Sequence, residues 1–206
     1  VVHFIPKTAV PPKYPPYRLQ TMQEVYDQTF DQQNSLPLGE YECCVFKNCD
    51  FANADFSGFK FTDCSFNGCN LSLVKLHQTA LQDILFKDCK MLGLRFDACK
   101  EFGLSFSFEG CQLNHSSFYK LKIKKTFFKN TQLQEVDFSA SDLSGAVFED
   151  CNLMQAVFEY TILEKADFRT AYNYNIDPEN NRIKKARFAM LGLPGLLGKY
   201  DIEIVS

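Results

Sequence analysis

The sequence predicts an all-β solenoid, and three observations predict it. Large apolar residues recur at every fifth position, a small residue stands two places before most of them, and the residue between is usually Asp, Asn, Ser or Lys. A spacing of five held from Phe46 to Phe168 fits neither the helix period of about 3.6 nor the strand period of 2. A stack of short repeats, each unable to bury its apolar face alone, does fit it.

The first run steps by five from Phe46 through Phe51, Phe56 and Phe61 to Phe96. It then slips by two and resumes from Phe108 to Phe168. The small partners are Cys44, Cys49, Ala54, Cys64, Cys69 and Val74 early in the chain, and Thr126, Thr131, Ala146, Cys151 and Ala166 later. Residues two apart on an extended segment face the same way, so each pair points inward. The residue between them, such as Asp50, Asn70, Asp137 or Asn152, faces solvent.

The pentads CDFAN, ADFSG, CNLSL, SDLSG, CNLMQ and ADFRT resemble the pentapeptide repeat family, over about residues 41–168. The resemblance implies a right-handed quadrilateral β-helix in which four pentads make one square coil, about seven coils in all. Residues twenty apart should then share a wall. One wall reads Phe46, Phe66, Phe86 and, after the slip, Phe108, Phe128, Phe148, Phe168 and Phe188. The opposite wall carries Phe118, Phe138 and Phe158, and the two between carry Leu113, Leu133, Leu153 and Ile123, Leu143, Leu163, Ile183. Each large side chain so buried contributes roughly 1.5–3 kcal/mol.

The same phasing puts Cys49, Cys69, Cys89, Cys111 and Cys151, with Thr131 between, in one inner column. Thiols that point the same way suit burial as small hydrophobes better than the torsion of about 90° that a disulfide needs. Zinc-type Cys-x-x-Cys spacing is missing, so neither a metal nor a cofactor is expected.

Between Phe96 and Phe108 the strict count would bury Glu101, at high cost. A two-residue bulge around Glu101, Phe102 and Gly103 avoids this, and Phe102 is then either a tolerated insertion or a recognition bump. Asp177–Asn181 reads as a loop, after which Ile183 and Phe188 recover the register with Ala186 at the small position. An open tower needs its ends covered. Residues 189–206, with Leu191, Leu193, Leu196, Leu197, Tyr200, Ile202 and Ile204, are read as a C-terminal cap. The resemblance implies that this same end could join two copies. Residues 22–40 are read as an N-terminal cap or lead-in. Residues 1–21, rich in proline, are read as a linker or as an addition ahead of a start at Met22, with a docking peptide for a proline-reading partner as the alternative.

The sequence offers no catalytic grouping: three His are dispersed, and no Ser-His-Asp or Cys-His set follows from the wall assignment. A net charge of −3 and a pI near 5.7 argue against direct nucleic-acid or membrane binding. With no apolar run of about 18 residues and no basic-then-apolar leader, the expected location is the cytoplasm. The quinolone-resistance branch of the family is thought to bind DNA gyrase by imitating duplex DNA, which implies protection from quinolones or toxins. Residues 41–170 carry 17 acidic against 14 basic residues, and Lys120, Lys122, Lys124, Lys125 and Lys129 make the middle basic. The long loops of the plasmid-borne resistance proteins are also missing. The reading is therefore a non-enzymatic protein that presents a rigid surface to an unidentified protein partner, with a gyrase-binding DNA mimic as the alternative. On the surface, Lys129, Glu149 and Arg169 occupy equivalent outward positions on successive coils and are expected to alternate as a charge ladder.

Overall fold

All strand pairs are parallel, and partners lie one coil apart in sequence. The computed structural model describes residues 22–205, so the reading of the proline-rich segment 1–21 lies outside the described residues. In chain order the strands are β1 (Gln23–Tyr26), β2 (Thr29–Asp31), β3 (Gly39–Glu42), β4 (Val45–Lys47), β5 (Lys60–Thr62), β6 (Ser65–Asn67) and β7 (Ala80–Gln82). They continue with β8 (Ile84–Lys87), β9 (Phe106–Glu109), β10 (Phe127–Lys129), β11 (Val147–Glu149), β12 (Asp167–Phe168) and β13 (Arg187–Phe188). One wall is a sheet of nine strands ordered β13-β12-β11-β10-β9-β8-β6-β4-β2, and an adjoining wall is a sheet of four ordered β1-β3-β5-β7. The remaining walls are tied by single parallel bridges such as Asp50↔Asn70, Gln112↔Gln132 and Ser117↔Asp137. The coil begins before Tyr41: Val25 pairs with Tyr41 and Phe30 with Phe46, so residues 22–40 contribute the first two strands. Nine strands on one wall make eight coil-to-coil steps, the sequence count of about seven having started at Tyr41.

The pitch of the stack sets the packing inside it. Strands lie about 4.8 Å apart, and on the nine-stranded wall successive rings stack nearly flat at that scale. Phe46 and Phe66 have centroids 4.5 Å apart, Phe128 and Phe148 5.0 Å with planes 4° apart, and Phe148 and Phe168 4.6 Å. The facing wall repeats this with Phe96, Phe118 and Phe138, at 4.6 and 5.2 Å. Between the two columns the rings meet edge-on, as Phe118 does Phe128 at 6.0 Å and 86°, the geometry that the ring quadrupole favours. Phe46, Phe66, Phe86, Phe108, Phe128, Phe148 and Phe168 are all buried, and Leu113, Leu133, Leu153, Leu143 and Leu163 fill the other two walls.

The corners explain the short pentad. The residue before each inner small position generally turns left-handed, with φ between 48° and 62° where it is not glycine and does so, including Asn48, Asp63, Leu73, Lys125 and Tyr160. None of these non-glycine residues is Val, Ile or Thr among the described residues, because a β-branched side chain tolerates that conformation least.

The choice between Cys and Ala at the inner small position follows from hydrogen bonding. At some corners the small residue's own N–H turns back, as Ala54 N–H donates to Phe51 O (2.9 Å) and Ala146 N–H to Leu143 O (2.9 Å), and a methyl group suffices. At the corners leaving β4, β6, β8 and β9 of the nine-stranded wall this bond is missing, and a buried carbonyl needs another donor. Cys69 Sγ donates to Phe46 O (3.5 Å), Cys89 Sγ to Phe66 O (3.3 Å) and Cys111 Sγ to Phe86 O (3.4 Å). Cys49 does the same for Phe30 O (3.6 Å). All nine cysteines are free, and burial pushes the Cys64, Cys99 and Cys151 thiols up to about 12. Of these, Cys64 and Cys151 donate to backbone carbonyls.

At the C-terminal end, Asn181 closes the loop after Asp177. Its amide donates to Phe158 O (2.7 Å) and Asp177 O (2.9 Å) and accepts from Thr161 N–H (2.8 Å). Two short 3-10 segments follow, Met190–Leu196 and Gly198–Tyr200. Against the last coil the closest approach of this segment is made by its glycines. Gly192 and Gly195 lie so close on Tyr174 that a Cβ at either would collide with it. Of the seven apolar residues named for the cap, Leu196 packs against the core. Leu191, Leu193, Leu197, Tyr200, Ile202 and Ile204 are exposed, Leu191 at 95%.

Candidate functional site

Two surfaces stand out from the regular walls: the coil break and the exposed C-terminal end. The break comes first because it changes the wall itself. From β8 to β9 the register lengthens, Leu85 pairing with Ser107 and Phe86 with Phe108, so the nine-stranded wall continues without a gap. The adjoining wall does not. Its sheet ends at β7 and its ladder resumes only at Lys122↔Asp142, continuing to Asp142↔Ile162. The rung between should have come from residues near Glu101, and Glu101, Phe102 and Gly103 instead swing out into solvent.

That leaves one inner position without its large residue, and Phe106 fills it. It stands two places before Phe108, where the equivalent residues are Cys44, Cys64, Thr126 and Ala146 and, one coil earlier, the buried Ile84. Its ring is buried among Phe96 (5.2 Å), Phe108 (5.2 Å) and Phe118 (5.9 Å). The sequence reading passed over Phe106, although a bulky residue at a small position beside a slip was a visible signal. Phe102, four residues earlier, is 90% exposed.

The missing rung has a backbone consequence. In regular coils the outward residue's N–H reaches the coil before it, as Gln112 does Cys89 O (2.9 Å), Ser117 Leu94 O (2.8 Å) and Asp142 Leu121 O (2.8 Å). Lys122 N–H has no such partner among the described residues. Beside it, at the corner with the nine-stranded wall, lies an open groove of about 530 Å3. Asp83, Ile84 and Leu85 form one lip, Leu104–Ser107 the recessed floor, and Lys122, Lys124 and Lys125 the other lip. Ser105 Oγ ties floor to lip, donating to the Asp83 carboxylate (3.0 Å) and accepting from Asp83 N–H (2.7 Å). Lys124 pairs with Asp142 at 3.2 Å. Burial works against the charged form of Asp142, but Ser144 and Lys124 hold its carboxyl below the usual range.

Elsewhere the surface is ordinary. Lys129 and Glu149 form the expected inter-coil pair at 3.2 Å, but Arg169 leaves the ladder and folds onto Asp167 within its own coil (2.7 Å). The Asp lies two residues away on the same wall, and a bidentate contact there outcompetes the next coil. Among the described residues no three His, Cys, Asp or Glu converge as a metal site, and no helix is long and apolar enough to cross a membrane. At the C-terminal end Lys199 clamps Asp177 (2.9 Å) and Glu179 (2.5 Å), and Tyr200 donates to Glu179 (3.1 Å).

Comparison with curated protein sequences gives no match. Among solved structures the chain is similar to full-length QnrB1, a plasmid-mediated fluoroquinolone resistance protein, at 19% identity over 87% of this chain and 97% of that one, with a TM-score of 0.42. It is also similar to HetL, a pentapeptide repeat protein involved in heterocyst differentiation regulation from the cyanobacterium Nostoc sp. strain PCC 7120. That match has 16% identity over 80% of this chain and 84% of that one, with a TM-score of 0.48. The family model described as a pentapeptide repeat region matches residues 40–118, 59–138 and 104–172. These matches run through the break as well as the regular coils and take in more than half of the sequence, so the chain belongs to the pentapeptide repeat family.

Proposed function

We propose that the chain is a non-enzymatic protein that works by presenting a rigid, pre-formed surface to a protein partner. The observation that carries this reading is the division of labour in the fold. The interior is filled by side chains that pack and bond to one another, and the carboxylates and lysines stand outward on separate walls. Catalysis needs such groups to converge, whereas recognition needs only that they be held in place. The surfaces that add nothing to the stack, the bulge with Phe102 and the apolar C-terminal end, are the ones left free for a partner. Nine reduced cysteines suit a reducing compartment, so we place the partner in the cytoplasm.

The test is photocrosslinking in the source cell, with a benzophenone side chain placed in turn at Phe102, Lys124, Leu191 and, as a control on a regular corner, Gln155. A discrete adduct from one of the first three positions and none from Gln155 is expected; no discrete adduct from any position overturns the reading. An adduct of twice the chain's mass from Leu191 would make the partner a second copy, joined through the C-terminal end. The DNA-mimic alternative is opposed by the lysines on the broken corner, since a convincing polyanion would not carry them there. A gyrase supercoiling assay with a quinolone separates the two: protection at stoichiometric protein supports the mimic, and none removes it.

A further inference from the structure

We propose that the groove at the broken corner is the docking site for an extended, acidic peptide segment of the partner; this rests on the interaction reading above and names the chemistry of the partner. Space is the first argument. An open groove of about 530 Å3 lies over Leu104–Ser107, flanked by Asp83–Leu85 and Lys122–Thr126, a volume that accommodates a short stretch of extended chain.

Hydrogen bonding is the second argument. Lys122 N–H is left without a partner among the described residues, in the direction along which Asp142 N–H reaches Leu121 O. An added strand pairs with such an edge.

Charge is the third. The groove is lined by three lysines against one aspartate, in a chain whose net charge is −3. The Asp83 carboxylate already accepts from Ser105, and Lys124 is already paired with Asp142. Lys122 and Lys125 have no ion-pair partner among the described residues. Alternate residues of an extended peptide face opposite ways. Acidic ones would meet these lysines, and apolar ones would meet Leu85 and the adjoining Phe127, both more than a third exposed. Asp83 on the opposite lip disfavours a phosphate backbone, so a peptide is the better fit.

The test is selection of random dodecapeptides on the immobilised full chain, followed by affinity measurement of the enriched sequences by fluorescence anisotropy at physiological salt. Enrichment of acidic sequences is expected, with affinity falling about tenfold or more on the double variant Lys122→Glu, Lys125→Glu. The double variant Lys122→Arg, Lys125→Arg should keep affinity, and matching circular dichroism establishes that both variants fold. Enriched peptides without net negative charge, unchanged affinity on the double Glu variant, or tighter binding of a short DNA oligonucleotide would each overturn the proposal. The crosslinking experiment distinguishes this failure from failure of the interaction reading. An adduct at Phe102 or Leu191 that the double Glu variant leaves intact keeps the interaction and removes the groove.

Discussion

Two adjoining walls meet the same two-residue insertion and respond in opposite ways. The nine-stranded wall lengthens its register once, between Phe86 and Phe108, and keeps its ring column unbroken at 5.4 Å. The wall beside it keeps only the ends of a bulged rung, Lys100 N–H on Thr79 O and Ser105 N–H on Leu81 O, and the strand ladder that ends at Leu81 in β7 starts again only at Lys122. The difference teaches that a coil tolerates an insertion when an inward side chain is still there to fill the layer. On the nine-stranded wall Phe108 falls back into line. On the broken wall only the half-buried Leu104 reaches the core, and Phe106 is borrowed from the neighbouring corner to complete the layer.

The largest expected effect tests that borrowing. Phe106→Ala should cost about 3–5 kcal/mol in urea unfolding, as much as Phe128→Ala in a regular coil, because each leaves a cavity in a filled layer. Phe102→Ala on the same bulge should stay within about 0.5 kcal/mol, since its ring is in water. Equal effects at Phe102 and Phe106 would remove the distinction between the two. A second comparison uses packing before and after the break. A small internal void of about 20 Å3 lies among Phe56, Leu76, Leu81 and Phe96. Leu133→Phe in the regular half should therefore cost about 1–3 kcal/mol by overpacking, whereas Leu76→Phe should cost less than about 1 kcal/mol.

Corners come next in size. Asn130 turns left-handed at φ 48°, so Asn130→Val should cost about 1–2 kcal/mol and Asn130→Gly much less, read from thermal unfolding midpoints. At the inner column, Cys89→Ala removes the donor to Phe66 O and should cost about 1 kcal/mol, while Cys89→Thr keeps a donor and should cost less.

The smallest effect concerns the C-terminal end and pH. Hydrogen bonding to the backbone N–H of Glu179 and to Lys199 lowers the Asp177 carboxyl, and Lys199 and Tyr200 lower that of Glu179. Both folded values are depressed, so their stabilisation is present above the unfolded carboxylate range near 4 and is lost as pH falls through the folded values. Hydrogen exchange of residues 190–200 should rise in that acid window before the regular coils respond, and Lys199→Ala should bring the same loosening to neutral pH.

Much of this fold was legible in the sequence, because a five-residue spacing that returns the same side chain every twenty residues leaves few alternatives. Phe46 and Phe66 announce their stacking by position alone. What was not legible depended on three-dimensional substitution. Phe106 sits where most coils carry a small residue, although Ile84 takes the same place one coil earlier, and its full ring is accommodated beside the bulge. Leu191 reads as a cap or dimer residue in one dimension, and the sequence does not show that Gly192 and Gly195 meet Tyr174 while Leu191 stands exposed. The lysines of residues 120–125 were visible as a cluster, but not that a bulged rung and an open groove lie against them.

The most direct test is native-state hydrogen exchange at two equivalent amides one coil apart, Lys122 and Asp142. The Asp142 amide donates to Leu121 O at 2.8 Å and the Lys122 amide has no such acceptor among the described residues. Lys122 should therefore exchange near the rate of an open amide while Asp142 is protected by the stability of the stacked coils. Equal protection at the two sites would contradict an interrupted wall.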